Sequence, residues 1–275
     1  MAAEETERVF AANRARGRIR VVGYSRDEGT HPQRVGEAGS LRVRFPGPRS
    51  NALEAVILNT AGGVVGGDCL DLAFAAAEEA HLAVTSAAAE KVYRSLGPDA
   101  TIRVSIEVGA GGSILWLPQE TILFDHARMA RSIDADLAED ARLVIAEAVV
   151  FGRAGMGERV ATGRLVDRWR VRRGGRLVFA ETLRLEGAIA EQLAEPAVAN
   201  GGVAIATVLV VPGDEALAAG VRERSAAFCG EVGVSAWNGL ALVRFCAKDG
   251  AALRRDLSAV LTWLCGRSLP RIWLN

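Results

Sequence analysis

One ten-residue run combines four glycines with a carboxylate: Asn59-Thr60-Ala61-Gly62-Gly63-Val64-Val65-Gly66-Gly67-Asp68. Glycine-rich runs can bind phosphate, but a phosphate-binding loop requires a lysine after its last glycine. Here Asp68 and Cys69 follow instead, and a carboxylate would repel a phosphate group. The dinucleotide-binding pattern fails as well, because alanine takes its first glycine position and no helix pattern follows. The run therefore predicts a tight structural turn within a β structure.

A second candidate for chemistry is the adjacent pair Asp125 and His126, with Glu120 or Glu158 as a further carboxylate. These groups would suit acid–base catalysis. However, the chain has no G-x-S-x-G pattern, and no serine or cysteine is paired locally with a base. A β-rich hydrolase of unknown type therefore stays open as an alternative. Replacing His126 would abolish turnover by such an enzyme.

Cysteine and histidine spacing does not predict a zinc site. The four cysteines and three histidines lie far apart and form no C-x-x-C pair. We expect the cysteines to be reduced, buried and inert. The residues concerned are Cys69, Cys229, Cys246, Cys265, His31, His81 and His126.

Composition excludes several classes of partner. Lys+Arg and Asp+Glu are equal at 33 each, so no basic field would attract nucleic acid or an anionic membrane. The longest apolar runs are too short to cross a bilayer. The acidic N-terminus lacks the apolar segment of a secretion signal. We therefore expect a cytoplasmic protein.

The elements around these residues are mainly strands. Apolar and polar residues alternate with period two in many short runs, and glycines punctuate them. Gly174 and Gly175 predict a hairpin turn. No strict repeat is present, so the sequence alone does not indicate a regular solenoid. The predicted strands include 41–45, 70–74, 102–108, 113–117, 121–124, 143–150, 168–172, 177–185, 203–211 and 240–246.

Helical periodicity occurs only in the last quarter of the chain. It predicts helices over 214–228 and 249–264, the second with Asp249 as N-cap and Gly266 after its end. Trp263 and Trp273 are expected to anchor this region in the core. No linker is evident, so we expect a single domain over residues 1–275. The predicted fold class is mainly β, with two α-helices near the C-terminus.

Several segments, taken together, resemble the UreD family (also called UreH) of urease accessory proteins. They run in the family's order from about residue 40 to the C-terminus, whereas residues 1–35 carry little of the resemblance. His126 stands where the family would have a glycine. The segments are Asn59 to Asp68, Lys91 to Ser95, Leu117 to Asp125, Gly152 to Glu158, Glu181 to Leu185 and Pro270 to Trp273.

The resemblance implies irregular stacked mixed β-sheets, solenoid-like in arrangement, and a chaperone-like, non-catalytic scaffold for metallocentre assembly. Such proteins bind the urease apoprotein and UreF, and UreF brings the GTPase UreG, which carries nickel. No tightly bound cofactor is implied, and Ni²⁺ would be a transient cargo. A generic protein-interaction module without a metal role stays open as a further alternative.

Nickel passage would need oxygen ligands that bind the ion weakly. The family-like segments carry five candidate carboxylates. Glu181 is notable because its strand face is otherwise apolar, so it must pair, take up a proton or line a wet cavity. Arg184 and Arg153 are candidate partners for these acids, and structural ion pairs and turn caps are the alternative reading. The candidates are Asp68, Glu120, Asp125, Glu158 and Glu181.

Tyr93 and Arg94 are the candidate partner-binding residues. Tyrosine and arginine are enriched at the centres of protein interfaces, and this chain has only two tyrosines. The alternative is that Tyr93 is a half-buried part of the scaffold.

Overall fold

The computed structural model describes residues 14–47, 50–95, 97–266 and 269–274, without the side chains of Ala154 and Leu274. The expectation of an N-terminus without a secretion signal falls on residues 1–13 and lies outside the described residues. The described residues form two stacked β-sheets with three α-helices. The predicted fold class is therefore confirmed.

The first sheet has seven strands in the order β14-β13-β11-β8-β5-β1-β2. Its inner pairs are parallel, and an antiparallel pair closes each side. The strands are β1 (Arg16–Arg26), β2 (Gly29–Gly39), β5 (Cys69–Ala76), β8 (Ala100–Val108), β11 (Arg128–Leu137), β13 (Gly163–Arg173) and β14 (Arg176–Gly187).

The second sheet has ten strands, in the order β16-β17-β15-β12-β9-β6-β4-β3 with β10 paired to β12 and β7. These strands are β3 (Leu41–Arg44), β4 (Leu53–Asn59), β6 (His81–Ser86), β7 (Glu90–Val92), β9 (Ser113–Leu117), β10 (Thr121–Leu123), β12 (Arg142–Phe151), β15 (Ala204–Val211), β16 (Glu231–Trp237) and β17 (Leu240–Ala247).

Between β4 and β13 the chain passes repeatedly from one sheet to the other. Strands β4, β6, β9 and β12 lie side by side in the second sheet, and β5, β8, β11 and β13 lie side by side in the first. Neighbours within each set are parallel. Each turn of the chain therefore adds one parallel strand to each sheet. This path of the chain is solenoid-like.

The main core fills the space between the two sheets. Alternate residues of each strand point inward, as the period-two pattern predicts. The rings of Phe74 on β5 and Trp116 on β9 meet there with centroids 5.6 Å apart. The two sheets are thus joined by side-chain packing, and polar groups inside this space must find partners there.

A second core lies between the other face of the ten-stranded sheet and the helices α2 (Glu215–Glu223) and α3 (Gly250–Cys265). Asp249 caps α3 by accepting a hydrogen bond from the Ala252 amide at 2.8 Å, and Gly266 ends it at φ +57°. Both caps are as predicted. Trp273 is buried in this core as expected, while Trp263 is only half-buried.

The glycine-rich run is a turn between β4 and β5, as predicted. Asp68 is buried, and its carboxylate accepts hydrogen bonds from the Val65 amide at 2.9 Å and the Ala15 amide at 2.8 Å. Gly62 and Gly63 have φ of +76° and +148°, where side chains are strained. The hairpin turn at Gly174 and Gly175 likewise has two positive φ angles.

Several predictions need correction. The helix predicted over 214–228 ends at Glu223 and is followed by a short 3-10 turn at Ser225–Ala227. A third helix, α1 (Ile189–Ala194), was not predicted, nor were β1, β2, β6, β7, β11 and β16. Cys229 is exposed and the other three cysteines are half-buried, so the prediction of buried thiols is wrong.

Candidate functional site between the two sheets

A buried ion cluster connects the two sheets. Arg131 on β11 of the seven-stranded sheet lies between Asp167 on the neighbouring β13 and Glu147 on β12 of the other sheet. Its Nε donates to Asp167 Oδ1 at 3.1 Å, and its two terminal nitrogens pair with the two carboxylates. All three side chains are buried. Removing Arg131 would leave two buried carboxylates without their cation.

Two tryptophans complete the hydrogen bonding of this cluster. Trp116 Nε1 donates to Glu147 Oε1 at 2.7 Å, and Trp169 Nε1 donates to Asp167 Oδ1 at 2.9 Å. Each indole therefore anchors one carboxylate within the apolar core. These hydrogen bonds hold the carboxylates of Glu147 and Asp167 in fixed positions.

The cluster holds one cation and two carboxylates, so it carries an excess negative charge when both acids are ionised. Burial raises the pKa of Glu147 to about 7, although the charge of Arg131 opposes the shift. Burial lowers the pKa of Arg131, but its two carboxylates outweigh that effect and the net shift is upward. Glu147 is therefore the group that can take up a proton near neutral pH.

A third carboxylate, Glu90 on β7, lines the same cavity as Arg131 and Glu147 of this cluster. Asn59 Nδ2 donates to both oxygens of Glu90, at 3.1 and 3.2 Å, and also to the Gly63 carbonyl at 3.2 Å. Burial raises the pKa of Glu90 to about 7; the Asn59 hydrogen bond opposes the shift and the charge of Asp68 adds to it. The glycine-rich turn thus positions an acid that titrates near neutral pH.

Glu90 and Glu147 line one cavity of about 60 Å³ between the sheets. Arg131, Thr121 and Gln119 contribute further polar groups to its wall. Such a volume has room for several water molecules when polar partners are present. The buried Nε2 atom of Gln119 has no partner within the described residues, so it is a donor that water in this cavity could satisfy. We call this space the inter-sheet cavity.

Each of the five predicted acids has a separate hydrogen-bond or ion-pair partner. Asp68 caps the glycine-rich turn, as described above. Glu120 pairs with Arg254 on α3 at 3.1 Å. Glu158 pairs with Arg153 at 2.7 Å, as suggested by the sequence. The structure does not gather these acids into one cluster.

Glu181 and Asp125 differ in their surroundings. Glu181 pairs with Arg244 on β17, so it links the two sheets, whereas the suggested partner Arg184 pairs with Glu186 instead. Asp125 accepts from the Thr162 amide at 3.1 Å and lies 3.4 Å from His126 Nε2. His126 has φ +60°, which explains why its position favours glycine.

Sequence reasoning missed Glu90, Arg131, Glu147 and Asp167. A signal existed for one of them: Glu147 is the only charged residue in the run Leu143–Val150. A carboxylate inside a continuous apolar strand must pair or be protonated. Glu181 shows the same pattern. The partner of Glu147, Arg131, lies on the other sheet, so the sequence does not identify it.

Within the residues that the structure describes, no group of three or more His, Cys, Asp or Glu side chains is arranged to hold a metal ion. In the same part of the chain, none of the helices combines the length and the apolar character needed to cross a membrane.

Comparison with known proteins identifies the family. The family model described as UreD urease accessory protein matches residues 15–274. The chain is 57% identical over 267 residues to the urease accessory protein UreD of Rhodopseudomonas palustris (strain BisB18), covering 97% of this chain and 96% of that protein. It is 57% identical over 270 residues to the UreD of Bradyrhizobium diazoefficiens, covering 98% of each. The chain therefore belongs to the UreD family of urease accessory proteins.

Proposed function

We propose that this chain is a non-catalytic scaffold for urease maturation. It binds the urease apoprotein and UreF, and the GTPase UreG joins through UreF and brings nickel. The observation that carries the proposal is the family match over residues 15–274, together with relatives named urease accessory protein UreD that align along nearly their full length. We expect the protein to act in the cytoplasm.

Deletion of the gene tests this proposal directly. In a host that carries the complete urease gene cluster, deletion should abolish urease activity and lower the nickel content of the purified urease. Re-expression of the chain should restore both. Full maturation without the chain would refute the proposal, as would a robust hydrolytic rate of the purified chain alone.

We further propose that nickel passes through this chain as a transient cargo. Support comes from the inter-sheet cavity, where Glu90 and Glu147 offer carboxylate oxygens of the kind that bind metal ions weakly enough to release them. Asp68 lies near Glu90, and Glu181 joins the two sheets near their edge strands. Asp125, Glu120 and Glu158 remain candidate ligands at the surface turns.

Isosteric substitutions test the passage without removing side-chain volume. Asp68→Asn, Glu120→Gln and Glu181→Gln are combined in one variant, and a second variant carries Glu90→Gln. Both should still co-purify with UreF and urease, but nickel per urease active site should fall. The matched control replaces three ion-paired surface acids, Asp71, Asp134 and Glu215, in the same way. Unchanged nickel loading in both test variants would eliminate the passage.

A further inference from the structure

Four segments that are distant in sequence meet at one surface of the molecule. The glycine-rich turn joins the end of β7 through a bridge between Val64 and Val92. The Phe124 amide donates to the Val92 carbonyl at 3.0 Å, and the Gly152 amide donates to the Leu123 carbonyl at 2.8 Å. The turns after β4, β7, β10 and β12 are therefore held together by backbone hydrogen bonds.

The side chains of these turns form a stack. The Tyr93 hydroxyl donates to the Gly62 carbonyl at 3.1 Å, and the Tyr93 ring meets the Phe124 ring edge-on with centroids 4.9 Å apart. The Arg153 guanidinium lies 4.1 Å from the centre of the Phe124 ring. We call this surface the Tyr93 platform; it consists of Gly62, Gly63, Tyr93, Phe124, Arg153 and Met156.

The close fit of Tyr93 against the turn makes the platform rigid. A side chain at Gly63 would lie 2.5 Å from the Tyr93 ring and 2.7 Å from the Lys91 carbonyl, so only glycine fits there. A ring that is already fixed loses little conformational entropy when a partner binds. The platform is therefore preorganised for contact.

The platform is also exposed and apolar. Tyr93 is 37% exposed and Met156, at the tip of the turn after β12, is 73% exposed. Aromatic residues, methionine and arginine are enriched in protein interfaces, and tyrosine is a common energetic anchor there. Two large apolar side chains beside a stacked arginine thus match the composition of an interface centre.

Charge identifies the kind of partner. Lys91 and Arg94 are exposed next to Tyr93, and neither has a carboxylate partner among the residues that the structure describes. Arg153 is paired with Glu158, so its charge is balanced. The platform therefore has two uncompensated positive charges at its rim, although the whole chain is neutral. A complementary surface would be acidic.

We infer that the Tyr93 platform is the docking site for an acidic segment of a protein partner. An apolar side chain of that segment lies against Tyr93 and Met156, and its carboxylates meet Lys91 and Arg94. The inference rests on the proposed function for the identity of the partner, which is expected to be the urease apoprotein or UreF.

Charge reversal with a matched control tests the role of the rim. The variant Lys91→Glu/Arg94→Glu should weaken association of the purified chain with urease apoprotein or UreF by about tenfold or more, and it should reduce the salt dependence of binding. The control Arg18→Glu/Arg20→Glu makes the same charge change on the exposed face of β1. An equal loss in both variants, or no loss in either, would overturn the inference.

A steric block tests the platform without touching its stack. The φ angle of Gly155 is not in the positive region that favours glycine, and a Cβ atom at this position would have no other atom within 4 Å. Gly155→Trp should therefore be compatible with the fold. It should reduce binding at least as much as the charge reversal. Gly233→Trp, on β16, is the matched control because Gly233 has the same open surroundings. Normal binding by Gly155→Trp would contradict the inference.

The gene deletion described above separates the two proposals. If deletion abolishes urease maturation while the platform variants bind and mature urease normally, the docking inference fails and the proposed function stands. If deletion leaves maturation intact, the proposed function fails. Zero-length crosslinking between Lys91 and partner carboxylates then identifies the segment; a crosslinked peptide without net negative charge would refute the acidic partner.

Discussion

Replacing Glu90 by glutamine should stabilise the protein, and the gain should increase with pH. The pKa of Glu90 is about 7 in the fold, against an ordinary value of 4.5. The folded state therefore binds more protons than the unfolded state between these two values. By linkage, the free energy of unfolding falls as the pH rises through this window, and the cost of ionising Glu90 is complete above pH 7. Glutamine does not ionise, so the variant avoids this cost.

The magnitude follows from the two pKa values. One pKa unit corresponds to about 1.4 kcal/mol, so the full cost is roughly 3 kcal/mol as an upper bound. Between about pH 5.5 and about pH 8.5 the cost grows by about 2 kcal/mol, because part of it is already present at the lower pH. Glu147 titrates in both proteins and largely cancels from the comparison.

Urea unfolding at these two pH values measures the effect. The quantity of interest is the free energy of unfolding of Glu90→Gln minus that of the wild type. Any constant cost of placing an amide opposite Asn59 contributes equally at both pH values. The difference should become more positive by about 2 kcal/mol towards high pH. A difference that does not change with pH would show that Glu90 is solvated like a surface acid and that burial does not raise its pKa.

Three further substitutions test buried polar contacts of the fold. Arg131→Met leaves two buried carboxylates without their cation, so urea unfolding should show a loss of about 3–5 kcal/mol in the free energy of unfolding. The control Arg168→Met breaks an exposed ion pair and should lower the free energy of unfolding by less than about 1 kcal/mol. Similar losses in both variants would show that burial does not strengthen the dependence on the cation. Asp256→Ala removes the carboxylate that accepts hydrogen bonds from two backbone amides just before β16, so the free energy of unfolding should fall by about 2 kcal/mol. An unchanged midpoint of urea unfolding would show that water replaces the carboxylate. Trp273→Phe keeps an aromatic ring in the core but removes the indole N–H that donates two hydrogen bonds, so thermal unfolding should show a loss of about 1 kcal/mol in the free energy of unfolding. Wild-type stability of this variant would mean that these hydrogen bonds contribute nothing.

Local patterns predicted the parts of the fold that local physics controls. Asp249 and Gly266 mark the ends of α3 because an N-cap carboxylate and a left-handed glycine each satisfy groups within a few residues. Strands with one buried face show period two, so β8 was evident. By contrast, β2 is exposed along nearly all of its length, so burial leaves no pattern to detect there.

The candidate site depended on contacts between distant segments. The sequence showed that Glu181 must find a partner, but Arg244 lies 63 positions away. Likewise, Glu120 pairs with Arg254, 134 positions further on. No local pattern identifies such partners, because the solenoid-like coil and the helix packing decide which strands and helices face each other.

By itself, the sequence determined a mainly β chain, a structural glycine turn, a last helix with both of its caps and membership of a family that its motifs resemble. These follow from interactions within short stretches of chain, where residue type and spacing decide the outcome. Only the tertiary structure decided that Glu90 and Glu147 share a cavity and that four motif segments form one platform. The physical reason is that burial and charge pairing act through space, so the pKa and partner of an acid depend on which side chains the stacked sheets bring beside it.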